Sequence, residues 1–253
     1  MQTLRDRTAI VSGMDGIVGS AIVSDFLAGG MNVVSMRPFP ENAETASLWF
    51  NEYGQRFLTV SNGNREKDVV EMIANMFGGI DVVVVGQGLP PANHIIEEID
   101  VSYPESVKNS HLTDGLSLLQ KSLPYLKRSS APRVIYLTSC ESQTSGINDG
   151  IACTAAKDGL ASLTASTAKQ LARYGITVNT VAVGSIYNKT NPGSDEPKTN
   201  HIFTHEDTDI LTKIPLGRLA RPEDVSGAVC YLASEEAGYV TATVINVSGG
   251  YSG

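Results

Sequence analysis

Cys153 and Lys157 stand four residues apart in IACTAAKDGLASLTASTAKQL, where Leu160, Leu163, Thr164, Ala168 and Leu171 recur at helical spacing. Residues at i and i+4 share one helical face, so a thiol and an ammonium are brought together. An unperturbed thiol pKa of about 8.5 falls beside a cation, which lets such a pair hold and release a proton. Ser139, directly after the apolar run RVIYLT, adds a hydroxyl, and His111 in VKNSHLTDG adds an imidazole. With His111 as base, Cys153 would be a nucleophilic thiolate. With Cys140 it would form a redox pair, which a reducing compartment disfavours. Against these readings, a helical cysteine standing alone is ordinarily a small buried hydrophobe, and a lone histidine is ordinarily packed and bonded to backbone. His201 and His205 are also four apart, with Glu206, Asp207 and Asp209 beside them. A zinc site needs a third well-placed ligand, so this cluster reads as a polar lid and no metal is expected.

A second group of residues could hold phosphate. SGMDGIVGS follows the apolar run TAIVS and opens a helix, which places Gly13, Gly16 and Gly19 at the junction. Glycines there permit a tight turn and let backbone N–H groups approach a pyrophosphate at the helix N-terminus. Packing at a strand-to-helix turn can also demand glycine, but the context favours dinucleotide binding or descent from it. Where an acidic side chain would hold the adenosine ribose of NAD, the second strand ends in Ser35-Met36-Arg37. Arg37 suits a 2′-phosphate, so the dinucleotide expected is NADP(H), if one is bound at all. A solvated strand-end charge is the alternative reading of Arg37.

The elements that must position these residues are legible from periodicity. TAIVS (Thr8–Ser12), MNVVSM (Met31–Met36), FLTV (Phe57–Val60), IDVVVV (Ile80–Val85), RVIYLT (Arg133–Thr138), ITVNTVAV (Ile176–Val183) and ATVINV (Ala242–Val247) read as strands. Most are continuous apolar runs, as parallel strands covered on both faces require. The intervening segments are long enough for crossover helices, and Gly175 is placed to end the helix that carries Lys157. The expected fold is a doubly wound α/β sheet, Rossmann-type, with helices on both faces and a crevice beyond the carboxyl ends of its strands. The 253 residues suit one domain spanning 1–253. Ser185 to Thr208, rich in Asn, Pro, Gly, Asp and Thr, predicts an irregular excursion at about 185–214.

Composition removes several classes of function. A net charge of −8 speaks against a surface that tracks nucleic-acid phosphates. No apolar run reaches membrane-spanning length, and the opening MQTLRDRTAIVSG is too short in apolar residues for a signal peptide. Cys140, Cys153 and Cys230 form no disulfide framework, so a reducing, cytoplasmic setting is expected.

The stretch IACTAAKDGLASLTASTAKQLARYGITVNTVAVG resembles the active-site helix and following strand of the short-chain dehydrogenase/reductases. PLGRLARPEDVSGAVCYLASEEAGYVTATVINVSGG resembles that family's C-terminal segment, and the similarity covers essentially the whole chain. In the family a serine polarises a carbonyl, a tyrosine transfers the proton, a lysine lowers the tyrosine pKa, and an asparagine supports a water relay. The resemblance puts Ser139 and Lys157 at the serine and lysine positions, Cys153 at the tyrosine and His111 at the asparagine. It puts Ile186 beside a nicotinamide amide, Asn62 or Ser61 at the family aspartate, and Val85-Gly86-Gln87-Gly88 where Asn-Asn-Ala-Gly is usual. Only Gly88 of those four matches, and Val183-Gly184 replaces proline-glycine.

The resemblance thus implies a degenerate active site. It implies a non-catalytic or weakly catalytic subunit of a hetero-oligomeric oxidoreductase, acting on a small hydroxy, keto or acyl-thioester substrate beside an intact paralogue. The alternatives are an NADP(H)-dependent carbonyl reductase or alcohol dehydrogenase with a non-standard proton donor, and a redox-independent lyase. A homo-tetramer or hetero-oligomer is expected through the long helices and the C-terminal segment, where Val225, Val229 and Leu232 recur at helical spacing.

Overall fold

The computed structural model describes residues 4–13, 16–36, 43–60, 66–86, 113–140, 151–188, 198–199 and 208–251. Its central feature is a seven-stranded sheet built from β1 (Thr8–Ser12), β2 (Asn32–Met36), β3 (Phe57–Val60), β4 (Val82–Val85), β5 (Arg133–Ser139), β6 (Thr177–Val183) and β9 (Val244–Val247). The spatial order is β3-β2-β1-β4-β5-β6-β9, and every pairing is parallel. Two short strands, β7 (Tyr187–Asn188) and β8 (Lys198–Thr199), form a separate antiparallel pair.

Parallel neighbours cannot be joined by a tight turn, so the chain returns through helices. These are α1 (Ile17–Ala28), α2 (Ala43–Tyr53), α3 (Glu66–Phe77), α4 (Asp114–Leu126), α5 (Ile151–Leu171), α6 (Thr208–Lys213) and α7 (Pro222–Ala233). Strand side chains alternate between two cores. Ala9, Val11, Val82, Val84, Ile135 and Leu137 pack with Phe26 of α1, Trp49 of α2 and Val229 of α7. Ile10, Val83, Val85, Val134 and Tyr136 pack with Ile73 of α3, Leu118 of α4 and Leu160 of α5. The doubly wound, single-domain α/β reading is the observed one.

The helix that carries Cys153 and Lys157 begins at Ile151, continues through one 3₁₀ turn (Ala172–Tyr174), and stops at Gly175 in the left-handed region. Thr164, which the periodicity places among its inward residues, is buried there. Its hydroxyl donates to Leu160 O at 2.9 Å and lies 2.7 Å from the Thr180 hydroxyl, tying α5 to β6.

Charged groups at the amino ends of the strands are committed to structure. The Asp81 carboxylate accepts from Thr8 N at 2.8 Å and from the Ser129 hydroxyl at 2.5 Å. The buried Arg133 guanidinium donates twice to Ser234 O, at 3.2 and 3.1 Å, while Arg7 donates to Ala233 O at 3.0 Å. These arginines satisfy carbonyls at the negative end of the α7 dipole. Burial, with Arg7 nearby, lowers the Arg133 pKa from its usual value.

One expectation needs correction. Val225, Val229 and Leu232 are each 0% exposed and pack inside the chain's own core. They lie in the core that α7 shares with α1 and the sheet, so their helical spacing reports folding and supplies no surface for a second subunit. Polar contacts reinforce the same helix pair, for the buried Ser226 hydroxyl donates to Asp25 Oδ2 at 2.5 Å. One turn on, burial and the nearby Asp25 push the Cys230 thiol up to about 12. Ser226→Ala should therefore cost about 1–2 kcal/mol by leaving a half-buried carboxylate without its donor, readable as a lowered urea midpoint with unchanged slope.

Candidate functional site

The crevice follows from strand order. From β1 the chain runs outward through β2 to β3, then crosses back to β4 on the other side of β1. In doubly wound sheets the ligand crevice lies beyond the carboxyl ends of the strands at such a reversal, which here is the β1–β4 junction. Its floor is held by Gly86 N, which donates to Ser12 O at 2.8 Å.

The glycine loop sits on this floor. Gly13 has φ +70°, and Gly16, the residue before α1, has φ +93° and ψ −160°. The Gly16 conformation is essentially closed to residues with a Cβ, so the turn itself demands glycine. Gly16 offers no side-chain cap, and the first turn of α1 carries no acidic residue. Gly19 is buried within the helix. Uncapped N–H groups and the positive end of the helix dipole suit an anionic group here.

Ser139 is the last residue of β5, half-buried, and lies in register with Val183 at the end of β6. Cys140 beside it is fully buried. Cys153 and Lys157 lie on α5, one turn apart near its start. Strand β5 and helix α5 therefore bring these three sequence-predicted residues to the same end of the fold. Arg37, Asn62, Gly88 and His111 lie outside the described residues, as do His201, His205, Glu206 and Asp207. Among the described residues, no group of three or more His, Cys, Asp or Glu could hold a metal ion, and no helix is long and apolar enough to cross a membrane.

Beyond β6 the backbone is fixed in detail. Gly184 N donates to Val247 O at 2.9 Å, and a Cβ at Gly184 would stand 2.9 Å from the Ser248 Cα. That contact explains why the glycine stands although proline before it is replaced by Val183. Ile186 forms a parallel bridge with Ala220, through Tyr187 N to Ala220 O at 2.8 Å and Ala220 N to Ser185 O at 3.0 Å.

The segment that returns from the excursion is anchored by an ion pair that the sequence reading missed. Arg218 Nη1 and Nη2 meet the two Asp224 oxygens at 2.6 and 3.2 Å, and Arg221 N donates to Asp224 Oδ2 at 2.7 Å. The signal was available: an acidic residue at the third position of a helix, after a proline at its first, marks a capped N-terminus.

Residues 14–252 match the family model described as enoyl-(acyl carrier protein) reductase. The chain belongs to the short-chain dehydrogenase/reductase family. Within the family, it is 30% identical over 249 residues to the 3-oxoacyl-(acyl-carrier-protein) reductase FabG of Haemophilus influenzae, covering 98% of each chain. It is 28% identical to the FabG of Vibrio cholerae, again over 98% of each. A double mutant of a Serratia marcescens short-chain dehydrogenase/reductase matches with a TM-score of 0.83 at 22% identity, over 99% of this chain and 100% of that one. A dehalogenation enzyme matches at 0.82 and 20% identity, over 98% and 99%. At such identities the two structures speak to the fold alone.

The Arg218–Asp224 pair makes the return limb sensitive to acid. The Arg218 guanidinium, hydrogen-bonded to Asp224, holds its carboxyl below the usual carboxylate range, with Arg221 N adding to the effect. A lowered folded-state pKa contributes stability above the unfolded value and loses it as pH falls through the folded one. Asp224→Asn should lower the neutral-pH melting midpoint by roughly 2–4 °C and flatten the acid limb of a midpoint-against-pH series.

Proposed function

We propose that this member of the family is a 3-oxoacyl-thioester reductase relative that has lost efficient proton transfer, and that it works as a weakly catalytic or non-catalytic subunit beside an intact paralogue. The observation that carries this reading is Cys153, one turn before Lys157 on α5, in the segment that resembles the family's active-site helix. General acid catalysis needs contacts of about 2.6–3.2 Å, and a cysteine sulfur ends roughly 3–4 Å short of where a tyrosine oxygen would reach. A neighbouring ammonium favours the thiolate, so acidity is not the obstacle; reach is. Loss of a positioned acid typically slows a reaction about 10²–10⁴-fold.

NADP(H) is the dinucleotide that this reading assigns. The fit rests on the Gly13–Gly16 turn, the uncapped start of α1 and the cleft at the β1–β4 reversal, which suit a pyrophosphate. When bound, the group would supply a hydride. Toward it, Arg37 would meet the 2′-phosphate, Lys157 the nicotinamide ribose and Ile186 the carboxamide, with Asn62 and Gly88 beneath the adenosine half. Ser139 would polarise a substrate carbonyl, and His111 would support the water chain behind Lys157. The chain spans essentially the full length of the FabG relatives, which supports a 3-oxoacyl thioester as the substrate class. Assembly as a homo-tetramer or with a paralogue, in the cytoplasm, belongs to the same reading.

A second reading has support in those same full-length reductase relatives: a slow NADP(H)-dependent reductase in which water held by Cys153 delivers the proton. Comparing NADPH-dependent reduction of a 3-oxoacyl thioester by the wild type and by Cys153→Tyr separates the two. The subunit reading expects both rates to sit near background, because Val85, Gly86 and Val183 also depart from the family pattern. A gain of about 10² or more from that one substitution would replace it with the reductase reading. Calorimetric titration tests the cofactor assignment separately. NADPH should bind more tightly than NADH if either binds, and a preference for NADH would overturn the role given to Arg37.

A further inference from the structure

The C-terminal residues after β9 touch both limbs of the backbone that flanks the excursion. On the outgoing limb, a Cβ on Gly184 would stand 2.9 Å from the Ser248 Cα, and Val247 O accepts from Gly184 N. On the return limb, Gly249 O accepts from Leu216 N at 3.1 Å. A Cβ on Gly249 would stand 2.8 Å from Ile214 Cγ2, and one on Gly250 would stand 3.0 Å from Pro215 Cγ. Both glycines have left-handed backbones, at φ +63° and +88°. The two limbs then join each other through the Ser185–Ala220–Tyr187 bonds around Ile186. Outgoing limb, tail and return limb therefore form one closed ring of contacts, with Ile186 on it.

We infer that the Gly249–Gly250 turn is the positioning element of the crevice, setting the place of Ile186 by holding the two limbs at a separation that admits no Cβ. Its consequence for ligand binding rests on the reading of Ile186 as a cofactor contact, whereas its mechanical content does not. Ile186 also packs, partly buried, against the core beside the sheet, but its bridge to Ala220 is made of backbone hydrogen bonds whose two limbs the tail ties together at Gly184 and Leu216. Loosening the turn should therefore free the Ile186 bridge without unfolding the strands.

Hydrogen exchange on Gly249→Ala tests this. Gly175→Ala is the control: it suffers the same left-handed strain at φ +72°, but its Cβ would meet nothing within 4 Å. Gly249→Ala should speed exchange at the Tyr187, Leu216 and Ala220 amides by about tenfold while β1, β4 and β5 stay protected. Gly175→Ala should leave those three amides unchanged. Adding Ile214→Ala to Gly249→Ala removes the methyl that the new Cβ meets and should restore part of the protection. If Gly249→Ala does not fold, a chain ending at Ser248 removes the Leu216 acceptor and should show the same local loosening. Unchanged exchange at Tyr187 and Ala220, or equal acceleration throughout the sheet, would overturn the inference. In parallel, NADPH affinity should fall about tenfold in Gly249→Ala and stay unchanged in Gly175→Ala. Wild type that binds no dinucleotide would count against the cofactor reading and leave the exchange result to decide this one.

Discussion

Hydrogen bonding along both edges of β1, to β2 on one side and β4 on the other, is the constraint from which the rest of the molecule follows. Both pairings are parallel, so each return of the chain needs a crossover, and the crossovers cover both faces. Covered faces require strands that are apolar throughout, which is why Ala9, Ile10, Val33, Val34, Val82, Val83 and Val84 are all fully buried. Because the chain leaves β1 in one direction and returns to it from the other, the β1–β4 junction is the switch point where the crevice of such a sheet lies. The cleft is the geometric residue of that reversal.

The two ends of the sheet are used differently. At the amino ends, Asp81, Arg133 and Arg7 are occupied by backbone groups and by each other's surroundings. Such groups stabilise turns and the end of α7, and they are committed to that work. At the carboxyl ends three of the five described junctions open on glycine: Gly13, Gly86 and Gly184 follow β1, β4 and β6, whereas Cys140 and Ser248 follow β5 and β9. Glycine there keeps backbone N–H groups within reach of a ligand or allows two chain segments to touch. The same division keeps Ser139, at the carboxyl end of β5, apart from the charged groups that hold the amino ends.

Local spacing accounts for what was legible. The strand runs, the stop at Gly175 and the glycine turn before α1 each depend on a few consecutive residues. Each stands within one or two residues of where the pattern puts it, with β2, β4, β6 and β9 beginning later than their apolar runs. Periodicity misled at α7. An apolar stripe reports that a surface is covered, and Val225, Val229 and Leu232 are covered within the core of the same chain. The contacts between Gly184 and Ser248, and between Gly249 and Ile214, join residues far apart in sequence. No spacing rule encodes them, although the glycines themselves were visible.

By itself the sequence determined the layer architecture, the seven strands of the main sheet (the short β7–β8 pair falls in the stretch read as irregular) and the placing of Ser139 and the Cys153–Lys157 pair on β5 and α5. Burial and periodicity are properties of short segments, and they leave little freedom once each strand must be apolar on both faces. Only the tertiary structure decided the strand order and therefore where the cleft opens. It also decided that the α7 stripe faces inward, and that the C-terminal turn locks the backbone around Ile186. Those outcomes depend on which distant surfaces meet, and a chain in isolation carries no record of a contact until packing selects it.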